Sequence, residues 1–298
     1  MSIAEAEALE LHVERPSGLW RDAFDRFKRN PAALAGVFLI LVFIVTAIFA
    51  PAIAPFEPTN QVGPLATNPA GPGGDYLMGL DEQGRDLFSR VVFGARLSLL
   101  IGVVSVGVGL AFGLILGALS GYLGGWVDFS IMRIMDLMLS VPSLLLAIGL
   151  VTMLGRGLLQ IMLAVGIVQI PTFARLLRGA ILGQRESDYV LAARSVGVPG
   201  RRILLVHILP NSIAPVIVQA TLAMATAIIE VAALSFLGLG PNDPGLPEWG
   251  RILAENANRL EQSVHLVFFP GLAIVISVLG LNLIGDGLRE AIDPKLKS

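Results

Sequence analysis

The sequence predicts an all-α, polytopic membrane protein with six transmembrane helices, and two observations carry this prediction. Of the 298 residues, 54% are hydrophobic and only 15% are charged, and the mean hydropathy is +0.75. The 21 Lys and Arg and the 23 Asp and Glu residues leave six charge-free windows: 32–56, 97–127, 137–155, 157–174, 208–229 and 266–285. Each window holds about 18 residues or more, which is enough for a helix to cross about 30 Å of hydrocarbon. A water-soluble enzyme is excluded.

The predicted segments follow one another along the chain. They are a cytoplasmic amphipathic tail at 1–31, a first transmembrane helix at 32–53, an extracytoplasmic loop at 54–96, a five-helix core at 97–288 and a cytoplasmic tail at 289–298. Trp20, Phe24 and Phe27 have the spacing of one helical face, so we expect the first tail to lie on the inner membrane surface. The start of the loop is rich in Pro and Gly, which predicts an irregular backbone there.

Lys and Arg residues are distributed unequally between the loops. One side carries fourteen of them, in the N-terminal tail, the 175–207 loop and the C-terminus, and the other side carries six. The positive-inside rule therefore places both termini in the cytoplasm. Ala50, Ala52 and Ala54 have the spacing of a signal-peptide cleavage site, but the preceding tail of about 30 residues is long and mixed in charge. We therefore expect the first span to be retained.

Several kinds of chemistry lack the residues they need. The sequence has no Cys, and none of its three lysines stands in a phosphate-binding loop, so the chain does not hydrolyse ATP alone. His12, His207 and His265 are far apart and lack a zinc-peptidase context. We predict no catalytic residue, no metal site and no cofactor in this chain. A net charge of −2 gives no reason to propose nucleic acid as a partner.

The segment 187–210 is predicted to be a cytoplasmic hairpin of helix, turn and helix. Ser187 or Asp188 can cap the first helix, and Gly197 suits a left-handed C-terminal cap, with Pro199 preventing continuation. Pro210 marks the entry to the fifth span. Small and apolar side chains along this hairpin would let another protein approach closely. A surface hairpin without a partner is the alternative interpretation.

These residues resemble a known signature. Ala192-Ala193, Gly197 four residues later and Ile208-Leu209-Pro210 resemble the EAA loop of binding-protein-dependent ABC importer permeases, although Leu191 replaces the frequent Glu. Other segments resemble the C-type permeases of dipeptide and oligopeptide importers: 29–36, 79–86, 235–240, Trp249-Gly250, Phe269-Pro270-Gly271, 282–289 and Asp293-Pro294. Each match is short, but they follow in order over nearly the whole chain.

The resemblance implies a type I ABC importer permease in a bacterial or archaeal cytoplasmic membrane. The implied partners are a second related permease, one or two cytoplasmic ATPase subunits that bind ATP and Mg²⁺, an extracytoplasmic substrate-binding protein and the lipid bilayer. The implied cargo is di- or oligopeptides, with nickel chelates or other small solutes as an alternative. A secondary carrier that needs no ATPase is the alternative from another class. The implied ATPase-coupling residues are Tyr189, Leu191, Ala192, Ala193, Gly197, Val198, Pro199, Arg201, Leu209 and Pro210.

Polar residues near the spans are further candidates. Gln169, Gln219 and Glu230 are candidates for the translocation path, although each can equally hold helices together. Arg133 and Asp136 are three residues apart on one helical face, so we expect an ion pair between them. Candidates for docking of the binding protein are Asp81, Glu82, Arg85 and Asp86, and a plug over the pathway is the alternative for this segment.

Overall fold

The computed structural model describes residues 19–66, 69–243 and 245–292, and these residues fold as helices joined by loops. The helices are α1 (Leu19–Phe27), α2 (Pro31–Ile48), α3 (Leu87–Leu123), α4 (Gly125–Leu139), α5 (Ser143–Leu154), α6 (Leu158–Arg185), α7 (Asp188–Ser195), α8 (Ala214–Leu234), α9 (Trp249–Asn256) and α10 (His265–Ile292). Shorter helical turns cover Ala50–Ile53, Gly200–Arg202, Leu209–Ser212 and Ala257–Arg259, and π-helical turns cover Ile203–Ile208 and Ser235–Leu239. Within the described ranges no strand forms, and only isolated β-bridges occur in the loop before α3. The predicted all-α class is confirmed.

Among the described residues, five helices are long and apolar enough to cross a membrane, and a bent pair makes a sixth span if its two helices are counted together. The pair is α4 and α5, whose axes differ by 95°. The break falls at Ser140 to Pro142, and Pro142 precedes the first residue of α5. Proline lacks an N–H and disfavours helical backbone in the residue before it, which accounts for the bend inside the predicted 137–155 window.

Helix α3 begins earlier than the sequence predicts. It starts at Leu87, so the last ten residues of the expected loop at 54–96 are helical. Asp86 caps its first turn, since its Oδ2 accepts hydrogen bonds from the backbone N–H of Ser89 at 2.8 Å and from the Ser89 hydroxyl at 2.6 Å. Arg90 and Arg96 interrupt the run of apolar residues in the sequence, so the charge-free window begins only at residue 97 and leaves out the first turns of α3.

Helices α3 and α6 pack with their backbones almost in contact. Four glycines of α3 lie at every fourth position and face α6: Gly109, Gly113, Gly117 and Gly121. A Cβ atom placed on Gly113 would lie 2.5 Å from the Cβ of Phe173, and one placed on Gly117 would lie 2.6 Å from the carbonyl oxygen of Ala174. Small residues at this spacing let membrane helices approach closely, because the space that side chains would fill is taken by the neighbouring backbone.

The first span is attached to the last. A Cβ on Gly36 of α2 would lie 2.7 Å from the carbonyl oxygen of Gly280, and a Cβ on Gly287 would lie 2.4 Å from the Cβ of Ala33. The other face of α2 is exposed and apolar, with Phe38 at 64%. In a bilayer this face contacts lipid, while the small face binds α10.

The expected Arg133–Asp136 ion pair does not form. Asp136 instead pairs with Arg175 of α6, and Asp128, also on α4, receives two hydrogen bonds from Arg178 at 2.5 and 2.6 Å. Because α4 packs against α6, arginines on the neighbouring helix compete for these carboxylates with residues of α4 itself.

Candidate functional site

The hairpin between α6 and α8, which the sequence predicts to be cytoplasmic, has a tightly bonded turn. Gly197 has a φ of +80°, and its N–H donates to the carbonyl of Arg194 at 3.0 Å. The N–H of Val198 donates to the carbonyl of Ala193 at 3.1 Å. These two bonds form a Schellman motif, so the predicted left-handed cap is confirmed. The predicted side-chain cap at the start is wrong for Ser187, whose hydroxyl instead donates back to the carbonyl of Gln184 at 2.6 Å.

The hairpin has an inner and an outer face. Val190 is fully buried, and Ala193, Val198 and Leu209 pack against the main hydrophobic core. The backbone approaches α3 at Gly200, where an added Cβ would lie 2.4 Å from the Tyr122 hydroxyl. The remaining candidates for coupling are exposed: Tyr189, Leu191, Ala192, Gly197, Pro199, Arg201 and Pro210.

An apolar surface stands on the outer face of the hairpin. Val196 is 79% exposed and Leu191 is 50% exposed. The hydroxyl of Tyr189 donates to Oε1 of Gln184 at 2.6 Å, which holds the start of α7 to the end of α6. The exposed valine and leucine are thus carried on a braced turn that can contact another protein with little loss of conformational entropy.

The three path candidates lie on α6 and α8. Gln169 is buried against Gly109 of α3, and neither its amide nitrogen nor its amide oxygen has a hydrogen-bond partner among the described residues. Glu230 is also buried; its carboxylate interacts with Ser143 at the start of α5, and Oε2 has no partner in the described part of the chain. Gln219 is half-buried. Buried polar groups without a hydrogen-bond partner are costly. Gln169 and Glu230 nevertheless keep unused hydrogen-bonding atoms, which could bind another group.

The segment before α3 is held by a buried ion network. Asp81 accepts hydrogen bonds from Nε of Arg85 at 2.7 Å and from Nη1 of Arg90 at 2.6 Å. Glu255 of α9 accepts from Nη2 of Arg90 and from Nε of Arg251, both at 2.8 Å. Burial raises the pKa of Glu255, but the charge of Arg90 and the hydrogen bonds from Arg251 and Arg90 lower it more, so its pKa lies below the ordinary value.

This network changes the interpretation of the docking candidates. Asp81, Arg85 and Asp86 are each 6% exposed or less, because they form the network and the cap of α3. Their burial argues against direct contact with a docking protein. Only Glu82, which pairs with Arg259, keeps a partly exposed side chain. Sequence reasoning missed the contribution of α9, because nothing local in the sequence relates residue 255 to residue 90.

Helix α9 is anchored under the same loop. Trp249 is fully buried and its Nε1–H donates to the carbonyl of Val91 at 3.0 Å. Glu248 caps α9 by accepting from the N–H groups of Gly250 and Arg251, both at 2.8 Å, and burial raises the pKa of this carboxyl. The loop before α3, the start of α3 and α9 therefore form one packed unit.

Comparison with known proteins gives the family. Residues 109–298 match the family described as "Binding-protein-dependent transport system inner membrane component", and residues 18–72 match the "N-terminal TM domain of oligopeptide transport permease C". The chain belongs to this permease family. It is a multi-pass inner-membrane component of bacterial ABC importers, and not the subunit that hydrolyses ATP.

Relatives cover nearly the whole permease. A dipeptide transport system permease protein of Alkalihalophilus pseudofirmus is 47% identical over 94% of this chain and 91% of its own. A di/tripeptide transport system permease protein of Pseudomonas aeruginosa is 46% identical over 98% and 97%, and a glutathione transport system permease protein of Pectobacterium atrosepticum is 43% identical over 94% and 92%.

A solved structure supports the fold. The MetNI methionine ABC transporter, in an inward-facing conformation, matches with a TM-score of 0.57 at 21% identity, over 70% of this chain and 98% of that one. The likeness shows that the permease has the fold of a type I importer.

Proposed function

We propose that the permease moves di- or oligopeptides across the cytoplasmic membrane as one subunit of an ATP-driven, binding-protein-dependent importer. The observation that carries the proposal is the apolar outer face of the braced hairpin, which suits docking into a cytoplasmic ATPase. The names of the relatives from Alkalihalophilus pseudofirmus and Pseudomonas aeruginosa support peptides as the cargo.

The complete importer needs further subunits. A second permease of the same family would close the other half of the path, and one or two ATPase subunits would bind ATP and Mg²⁺. A substrate-binding protein would deliver peptide to the outer face, where Glu82 and the surface around it are the remaining docking candidates. Both termini would then lie in the cytoplasm with the hairpin.

A polar path between two permeases would allow a charged peptide to cross the membrane. A zwitterionic peptide cannot cross hydrocarbon unaided, because the desolvation of its charges costs many kcal/mol. Gln169 and Glu230 are buried and have unused hydrogen-bonding atoms, so a change in helix packing can present them to a passing peptide backbone or amine. Gln219 is the third candidate for such a contact.

The hairpin assignment is tested by placing a charge on its outer face. We expect Val196→Asp to abolish co-purification of the ATPase and peptide uptake, while the permease still inserts, because the side chain is 79% exposed and packs little in the isolated chain. Leu65→Asp is the matched control for co-purification of the ATPase, since Leu65 is 71% exposed in the loop before α3 and far along the chain from the hairpin. Retention of the ATPase by Val196→Asp, or its equal loss in both variants, would refute the assignment. Gly197→Asp should also abolish uptake, since it strains the cap and adds a charge.

The cargo and the energy source need separate assays. Unlabelled dipeptides should compete with radiolabelled dipeptide uptake, whereas competition by nickel chelates alone would favour the alternative cargo. Uptake that persists with a hydrolysis-dead ATPase and collapses with an ionophore would favour a secondary carrier instead.

A further inference from the structure

Two parallel helices show that the segment between them crosses the membrane. Gly109 of α3 faces Gln169 of α6 and Gly121 faces Ile181, so both helices run in the same direction and end on the side of the hairpin. The chain must therefore return from the end of α3 to the start of α6, and α4 and α5 make this return. With 15 and 12 residues they measure about 22 and 18 Å, so neither crosses about 30 Å of hydrocarbon alone.

The break between α4 and α5 consequently lies at the depth of the hydrocarbon. The helix axis turns there by 95°, residues 139–143 are all exposed in this chain, and the N-terminus of α5 has no side-chain cap. Irregular backbone at this depth cannot bond to lipid, so it occurs only where it is buried in protein or lines a water-filled cavity. Because the break is exposed, we expect it to face water.

A buried carboxylate stands behind the break. Glu230 of α8 is 8% exposed, and its carboxylate interacts with Ser143, the first residue of α5. Ser143 is itself exposed, so Glu230 is separated from the open face of the break by one small side chain. Oε2 of Glu230 has no hydrogen-bond partner in the described part of the chain. An acid inside a membrane bundle is costly and is typical of a functional site.

The chemistry of this group favours a cation as its ligand. The two acids of α4 are already neutralised by arginines of α6, whereas no described Lys or Arg pairs with Glu230. A carboxylate forms its strongest hydrogen bonds with a charged donor such as an ammonium group. On the basis of the function proposed above, we propose that the break between α4 and α5 lines the water-filled path and that Glu230 binds the ammonium group of a peptide passing Ser143.

Water at the break is tested with single cysteines, because the chain has none of its own. The importer carrying Ser143→Cys is placed in lipid nanodiscs and treated with a charged thiosulfonate, and labelling of this subunit is measured. We expect labelling to be at least about tenfold faster than for Leu41→Cys, since hydrocarbon excludes both the charged reagent and the reactive thiolate. Leu41 is the matched control, because it is 53% exposed on the lipid-facing side of α2. Equal rates would refute a water-filled break.

The charge of Glu230 is tested at the same thiol. A carboxylate nearby accelerates a cationic reagent and slows an anionic one, so Glu230→Gln should lower the ratio of the two rates at least about fivefold. A general change in exposure would alter both rates alike and leave the ratio unchanged. An unchanged ratio would therefore show that no charge of Glu230 acts at the break, which contradicts the proposal.

Uptake of radiolabelled dialanine separates this proposal from the proposed function. If the native importer takes up no peptide, the proposed function fails, and with it the peptide as ligand, whatever the labelling shows. If the native importer takes up dialanine, Glu230→Gln should lower uptake at low peptide concentration at least about fivefold, because the amide loses the charge-assisted bond. Glu230→Asp, which keeps the carboxylate, should retain more uptake than Glu230→Gln. Native uptake by Glu230→Gln would refute the ammonium contact.

Discussion

Replacing Gly117 by alanine should force α3 away from α6. The new Cβ would lie 2.6 Å from the carbonyl oxygen of Ala174, whereas ordinary contacts begin at 3.4 Å, so the two backbones must separate by about 0.8 Å. The neighbour is backbone and cannot turn aside as a flexible side chain would. Gly107 lies on the same helix, and a Cβ there meets nothing within 4 Å, so Gly107→Ala is the matched control.

The comparison isolates the cost of crowding. Both variants gain the same helix propensity, up to about 1 kcal/mol for alanine over glycine. Only Gly117→Ala adds an overpacking cost of about 1–3 kcal/mol. Since this cost is the difference between the variants, it does not depend on the value taken for helix propensity in a membrane.

Thermal unfolding of the purified permease in detergent measures this difference. At about 2–4 °C per kcal/mol, the midpoint of Gly117→Ala should fall below that of Gly107→Ala by at least about 2 °C. Uptake by the assembled importer should fall with it, because α6 leads directly into the hairpin. Equal midpoints for the two variants would show that α3 and α6 are not packed as closely as described.

Three further predictions concern the outer loop and α9. Arg90→Met should lower the free energy of unfolding by about 3–5 kcal/mol, because it leaves the buried carboxylate of Asp81 without one of its cations; a loss below 1 kcal/mol would refute that role. The lowered pKa of Glu255 predicts stability that is complete above its ordinary value of 4.5 and lost as pH falls through the lower folded value. Glu255→Gln should therefore flatten the acid limb of a plot of unfolding midpoint against pH. Trp249→Phe removes the hydrogen bond to the Val91 carbonyl and leaves a gap, so we expect a loss of about 1–3 kcal/mol by thermal unfolding, and a smaller effect would show that the bond is replaced.

Local chemistry was predictable from the sequence. The charge-free windows locate the long helices, because uncompensated charges are costly in hydrocarbon. The cap at Gly197 was also predictable, because a left-handed glycine and the following Pro199 end a helix through contacts within a few residues.

Features that depend on distant partners were not predictable. Arg90 belongs to the first turn of α3 only because Glu255 and Asp81 neutralise it, and no local pattern relates these residues. The choice of Arg175 rather than Arg133 as the partner of Asp136 likewise depends on how α4 packs against α6. The burial of Asp81, Arg85 and Asp86, which the sequence offers as docking candidates, likewise follows from tertiary packing around α9.

The row of glycines between α3 and α6 has a mechanical consequence. Helix α3 has 37 residues and extends about 55 Å, from the outer ion network to the Tyr122 contact beneath the hairpin. Between Gly109 and Gly121 its backbone lies close against α6, so few adaptable side chains stand between the two helices to absorb a displacement. We therefore expect a force applied to the end of α6 next to the hairpin to move this stretch of α3 with it, so that the two helices respond as one stiff body.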